Sequence, residues 1–218
     1  RVVELYNCLN NIINQTRTPD QIIVINNEST DNTTEILKDL NLEVITQKNT
    51  GSAQGWHKAI EYALDNNFDL IWLMDDDGLP DLKSLEFLEN NFEENMSCIS
   101  STVVHNNNPD LFVFPMPRLD TNNRPILFSL IRKYKNVSEL KKLNIFYEYV
   151  HLFNGVLINL RAVKIIGNVN KNLVHHGVEV DFFYRLLKYG PCRTLLTSIH
   201  YHPNVEERKI NNFWIYYT

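Results

Sequence analysis

Leu70-Ile71-Trp72-Leu73-Met74-Asp75-Asp76-Asp77-Gly78-Leu79-Pro80 is an apolar run of strand length that ends in three consecutive carboxylates. Gly78 and Pro80 oppose continuation of the strand, so the acidic triplet falls at its carboxyl edge. Three adjacent like charges repel one another, and a cation or a set of hydrogen-bond donors must offset that cost. Carboxylate oxygens are hard ligands; the expected cation is Mg2+ or Mn2+, with coordination positions left over for substrate phosphates. The competing reading is an acidic turn in which Asp77 or Asp81 caps the helix that begins near Pro80. On this stretch alone the two readings stand level.

Toward the amino terminus, Val2, Leu5, Leu9, Ile12 and Ile13 recur at helical spacing, and Thr18-Pro19-Asp20 ends that helix. Gln21-Ile22-Ile23-Val24-Ile25 follows as a continuous apolar run, the pattern of a buried parallel strand. Asn26-Asn27-Glu28-Ser29-Thr30-Asp31 then supplies small polar residues that can face a ligand. A helix over residues 35–39 and a strand over 42–46 lead to Asn49-Thr50-Gly51-Ser52-Ala53-Gln54-Gly55, which opens a helix over 56–65. Small residues there let backbone approach a ligand, and a helix N-terminus favours phosphate, although a plain connecting loop explains the same glycines. Strand and helix alternate throughout this half, which predicts an α/β fold with a mainly parallel sheet. In such a sheet the loops at Asn26, Gly51 and Asp75 converge at the carboxyl ends of the strands, where ligands bind.

Toward the carboxyl terminus a helix is expected over residues 81–91 and a strand over 97–104. Residues 106–125 are polar and proline-bearing with no regular pattern, and 126–143 read as partly helical; loops of this kind suit acceptor recognition. A strand over 151–159 and a short helix over 161–166 precede Val174-His175-His176-Gly177-Val178-Glu179-Val180-Asp181, a loop feeding an amphipathic helix that stops at Gly190. Asp181 and Arg185 stand one helical turn apart and are expected to pair, whereas Glu179 has no such neighbour. Alternation over 193–201 predicts a strand with His200 and His202 on one face, a spacing that by itself favours a structural role over metal binding.

With 218 residues, the chain suits one α/β domain with one substantial core. A net charge of -5 argues against a nucleic-acid partner. No apolar run approaches the ~18 residues that span a bilayer, and the first residues lack a signal-peptide pattern. Cys8, Cys98 and Cys192 are widely spaced without a metal-binding rhythm and read as reduced cysteines of a cytosolic protein.

Four patches in this order resemble a family 2 glycosyltransferase of the GT-A fold: "QTRTPDQIIVINNESTDNT" from Gln15, "NTGSAQGWHKAIEYAL" from Asn49, "WLMDDDGLP" from Trp72 and "HHGVEVDFFYRLLKYG" from His175. The acidic motif with its Gly-Leu-Pro tail is most similar to the bacterial branch containing rhamnosyl- and galactofuranosyltransferases. The resemblance implies a single GT-A domain over 1–218, with a nucleotide-sugar-binding half (1–104) and an acceptor-binding and catalytic half (105–218). It also implies a piece cut at both ends, since Arg1 follows the family's first strand and Phe213-Trp214-Ile215-Tyr216-Tyr217 resembles a stretch that continues in relatives.

Carried over by position, Asp77, Asp75 and His202 match the metal site, with His200 as the fallback. Asn26, Asn27, Gly51, Asp75 and Asp76 match the nucleotide-sugar site, Glu179 the catalytic base, and Asn154, Gly155 and His176 the acceptor side. Asn26 stands where an aspartate is usual, Val178 where the first acid of the base motif is, and His57 where an asparagine is common. The implied function is inverting, Mn2+- or Mg2+-dependent transfer from a UDP- or dTDP-sugar to a glycan or lipid-linked glycan in cell-surface polysaccharide synthesis. Its implied place is the cytoplasm, peripheral to the inner face of the membrane if the acceptor is lipid-linked. The alternatives are a sugar-nucleotide-binding module without activity and, further off, a sugar-phosphate nucleotidyltransferase, which wants a Gly-rich loop with a basic residue after the first strand.

Overall fold

A computed structural model describes residues 2–40, 42–126, 133–142, 144–173 and 176–203. The stretch Phe213–Tyr217 and residue His175 lie outside the described residues. The elements run α1 (Val2–Ile13), β1 (Ile23–Asn26), α2 (Thr33–Asp39), β2 (Glu43–Thr46), α3 (Ser52–Asp65), β3 (Leu70–Met74), β4 (Leu79–Pro80), α4 (Ser84–Asn90), β5 (Cys98–His105), β6 (Asn108–Met116), β7 (Tyr134–Asn136), α5 (Val137–Lys141), β8 (Phe146–Tyr147), β9 (Asn154–Asn159), α6 (Leu160–Ile166), α7 (His176–Tyr189) and β10 (Cys192–His202).

The strands form two sheets. β1 and β2 pair in parallel by themselves, while β3-β9-β5-β10-β4 form the spine of the larger sheet. The expected mainly parallel sheet is instead mixed: β5 and β10 run parallel, but β9 lies antiparallel to both β3 and β5, and β4 antiparallel to β10. β9 is buried along its whole length, and burial on two faces produces a continuous apolar run whatever the direction of the neighbours. Ile60, Phe153, Val156, Ile158, Phe182 and Leu186 form the centre of the largest core cluster, which joins α3, β9 and α7.

Two local corrections follow. Residues 108–116, expected to be irregular, form β6, which pairs with β5 and β7 across irregular registers; Pro109 and Pro115 disguise it, and the register shifts are what accommodate them. Gly78 and Pro80 do not end strand structure altogether. The chain reverses through Asp75–Gly78 and returns as β4, with Leu79 opposite Tyr201 and Pro80 opposite His200. The helix after it starts at Ser84, because the Asp81 carboxylate is engaged by the Lys83 backbone N–H at 3.0 Å.

No ladder joins β1 to β3 among the described residues. A cleft of about 1310 Å³ is lined by residues of both strands, by Leu5 and Leu9 of α1, and by Asn26 and Asp75 at the strand ends. Helix α1 is tied to the far side of the acidic turn by Gln15, which is buried, donates to the Asp81 carbonyl at 2.7 Å and accepts the Leu85 N–H at 3.0 Å. Replacing Gln15 with Leu leaves the Leu85 N–H unpartnered and takes one of two donors from the Asp81 carbonyl, which the Ser84 N–H still reaches at 2.9 Å. Urea denaturation of Gln15→Leu should therefore show a loss of about 1–3 kcal/mol, with unchanged stability contradicting the tie.

Candidate active site

The turn that carries the acidic triplet is set by β4. Pairing with the end of β10 brings Asp77 beside two histidines that are far away in sequence. His202 Nε2 lies 3.3 Å from Asp77 Oδ1, and its Nδ1 lies 2.8 Å from the Pro203 carbonyl. A carbonyl on Nδ1 demands a proton there, which leaves Nε2 as the atom facing the carboxylate, or a cation, in the neutral ring. Burial opposes the charged imidazole, but the hydrogen bond to Asp77 and that to Pro203 outweigh it and raise the His202 pKa.

His200 shares that side of β10 but is completely buried, and neither of its ring nitrogens has a partner among the described residues. The ring fills a slot that two glycines leave open. A Cβ on Gly78 would fall 2.0 Å from His200 Nε2, and one on Gly155, whose φ is +79°, would fall 2.9 Å from Nδ1. Burial, then the neighbouring His202, depress the His200 pKa to about 3 against the pull of Asp77. A neutral ring in that slot supports the turn from beneath, so the structure separates the two candidates: His202 meets Asp77, and His200 packs under it.

Asp75 and Glu179 form the other half of the site. The Asp75 carboxyl is pushed up to about 7 by burial first, then by Asp77, with Asp76 and Glu179 adding to the shift. Its Oδ1 accepts the Trp56 indole N–H at 3.3 Å, the influence that works in the opposite direction. Glu179, in the first turn of α7, is also raised to about 7, by burial. Asp181 pairs with Arg185 at 2.6 Å as expected, and Arg185 also donates to the Ile166 and Gly167 carbonyls. That network removes Asp181 from consideration as a base. Val178 is 1% exposed and points into the core, so a second acid at that position would be a buried charge rather than part of the site.

The loops expected to read the nucleoside use much of their polarity on themselves. Asn26 is buried and accepts the Ser29 N–H at 3.0 Å, while Asn27 accepts from Gln47 at 2.8 Å. Gly55 makes room for the Asn27 amide, since a Cβ there would lie 3.1 Å from its nitrogen. Gly51 caps α3 with φ +106° and faces open space, which leaves the backbone at the start of α3 approachable. Asn26, Asn27, Asp75 and Asp76 all line the cleft. Of the acceptor-side residues, Asn154 and Gly155 lie in β9, with Asn154 buried and its amide oxygen unpartnered, and His176 begins α7. His57, the departure from asparagine, is structural: its Nδ1 lies 2.7 Å from the Val169 carbonyl.

Two residues at the site escaped the sequence reading. Trp56 was visible only as the first large residue after the small-residue loop, and its bond to Asp75 is tertiary. Tyr149 packs on Phe183 and His151, and burial followed by the charge of Glu179 pushes its phenol up to about 12; nothing in its local pattern marks it. The Asp77–His202 pair offers one hard carboxylate oxygen and one imidazole nitrogen. Among the described residues no group of three or more His, Cys, Asp or Glu is arranged to hold a metal unaided. None of the described helices is long and apolar enough to cross a membrane.

Three comparisons bear on this arrangement. The model of the family described as glycosyl transferase family 2 matches residues 2–153. Galactofuranosyltransferase GlfT1 of Mycolicibacterium smegmatis is 28% identical over 201 residues, which cover 89% of this chain and 65% of that protein. The chain therefore spans about two thirds of that relative. Among solved structures, GalNAc-T7 with UDP, GalNAc and Mn2+ superposes with a TM-score of 0.63 at 13% identity, over 89% of this chain and 40% of that one. TarS of S. aureus (residues 1–349) superposes with a TM-score of 0.64 at 14% identity, over 92% of this chain and 56% of that one. The likeness to these structures shows the GT-A fold.

The raised carboxyls carry a stability signature. In the unfolded chain Asp75 and Glu179 lose their protons near 3.8 and 4.5, but in the folded chain only near 7. The folded state therefore binds more protons between those values, and stability falls as pH rises through that window; the raised His202 pKa has the same sign. Buried His151 and His200, whose pKa values are depressed by burial to about 4 and about 3, act in the opposite sense below about 6.5. The metal-free protein should still melt at a lower temperature at about pH 8 than at about pH 5, and Asp75→Asn with Glu179→Gln should abolish or reverse the dependence. An unchanged slope in that double variant would show that the carboxyls titrate normally.

Proposed function

The chain belongs to glycosyl transferase family 2, and we propose that it transfers a sugar from a UDP- or dTDP-sugar to a hydroxyl of a glycan or lipid-linked glycan, with inversion at the anomeric carbon. The observation that supports this reading is the contact of His202 with Asp77, two residues along the turn from Asp75, which lines the cleft together with Asn26 and Asn27. Asp77 and His202 would hold Mn2+ or Mg2+, with Asp75 and Asp76 facing the donor. A bound divalent cation supplies positive charge to the diphosphate as it leaves.

The protein side of the chemistry rests on Glu179. A carboxyl with a pKa of about 7 is a competent base at neutral pH, and it can take the proton that the acceptor hydroxyl loses as its oxygen attacks the anomeric carbon. With Asp181 held by Arg185, no second carboxylate is placed as a nucleophile on α7, which favours a single displacement. Similarity to a galactofuranosyltransferase supports cell-surface polysaccharide as the destination of the product. A lipid-linked acceptor would bring the protein to the inner face of the cell membrane.

Calorimetric titration of UDP and dTDP, each with Mn2+ and with EDTA, tests the site. Binding should require the metal, favour one nucleotide and fall at least about tenfold in Asp77→Ala, the loss expected when a charged ligand is removed. Binding indifferent to EDTA and to Asp77→Ala would overturn the metal assignment. Glu179→Gln should keep nucleotide affinity yet lower transfer by about 10²–10⁴-fold, and the wild-type rate should decline below about pH 7 as the base takes up its proton. A product with retained anomeric configuration would contradict the single displacement. Nucleotide binding with neither transfer nor donor hydrolysis would support the binding-module alternative.

A further inference from the structure

Trp56 lies in the first turns of α3 and has no part in the chemistry assigned above, yet three observations converge on it. Its ring stacks on Phe153 with centroids 3.6 Å apart and planes 9° from parallel. Phe153 in turn lies 6.3 Å from Phe182 with planes 5° from parallel, and Phe182 is on the same helix as Glu179. The Trp56 indole N–H reaches Asp75 Oδ1 at 3.3 Å.

The middle ring is held at a cost. Phe153 is completely buried and has φ +66°, a left-handed conformation that a bulky residue adopts only where its surroundings impose it. Strain of this kind at the centre of a stack points to a position that the fold maintains for its geometry. Aromatic contacts resist sliding because both rings lose contact area together, so the column Trp56–Phe153–Phe182 behaves as a strut between α3 and α7.

We infer that Trp56 is a positioning residue: its N–H fixes the orientation of the Asp75 carboxylate, and the stack through Phe153 to Phe182 ties that orientation to the helix bearing Glu179. The inference rests on the reading of Asp75 as donor-facing and Glu179 as the base. It separates two jobs within the acidic triplet. Asp77 meets its partner across the sheet on β10, whereas Asp75 is steered from the helix layer, so the two carboxylates are aimed by different parts of the fold.

Trp56→Phe keeps a ring for the stack and removes only the N–H, which makes it the informative variant. In ¹⁵N spectra the indole signal absent from Trp56→Phe is that of Trp56, and it should move in Asp75→Ala. Free Mn2+ read by electron paramagnetic resonance in the presence of UDP should show about tenfold weaker uptake in Trp56→Phe and in Phe153→Leu, the size expected for losing a hydrogen bond to a carboxylate, with the far-ultraviolet circular dichroism of Trp56→Phe unchanged. An indole signal indifferent to Asp75→Ala, or wild-type affinity in Trp56→Phe, overturns the positioning role alone. Wild-type protein that takes up neither Mn2+ nor UDP overturns the proposed function together with it.

Discussion

Two residue pairs, Leu79 with Tyr201 and Pro80 with His200, determine what the acidic turn can do. Without that short antiparallel ladder, Asp75–Asp77 would be an exposed run of charge at the end of a strand. With it, the turn is folded against the last strand of the sheet, and Asp77 is delivered to His202 across more than half of the chain. Because β10 is also the parallel partner of β5, the whole sheet fixes this contact. The energetic logic is that of a like-charge cluster that is partly desolvated: burial and the neighbouring carboxylates raise Asp75, and Asp77 draws a proton toward His202.

The division of the fold into two sheets gives the site its second dimension. β1 and β2 carry the polar loop at Asn26 and Asn27 on one bank of the cleft, while β3 carries the carboxylates on the other. Helix α3 spans them, with its approachable N-terminal backbone at Gly51 and its tryptophan on Asp75. α7 closes the arrangement from the far side of the core with Glu179 in a half-buried first turn. The acidic turn, the polar loop at Asn26 and Glu179 thus come from different parts of the fold, which allows each to be shaped without disturbing the others.

Much of this was legible before any coordinates. The apolar run ending in Asp75, the small-residue loop before α3 and the helix with Glu179 at its start all rest on local patterns, and the separation of Glu179 from Asp181 needed only the helical spacing to Arg185. Strand direction was not legible, because the apolar run of β9 records burial on both faces and says nothing of its neighbours. β6 was hidden by Pro109 and Pro115, which speak against strand in any local window and are accommodated here by irregular pairing. The roles of Trp56 and Tyr149 depend on contacts made across the fold, and no spacing announces them. The departure at Val178 became intelligible only when its side chain was found in the core, where position 178 contributes packing.

The imidazole of His200, wedged between Gly78 and Gly155, links the acidic turn, β9 and β10 into a single steric unit. Neither glycine can gain a side chain while the ring is present, and the ring cannot shrink without leaving a void beneath the acidic turn. Drift at these positions is therefore concerted: a lineage that exchanges His200 for a smaller residue gains freedom at 78 and 155 at the same moment, and one that keeps it forfeits that freedom. Positions 78, 155 and 200 should accordingly vary together through descent, as a trio whose members inherit one another's constraints.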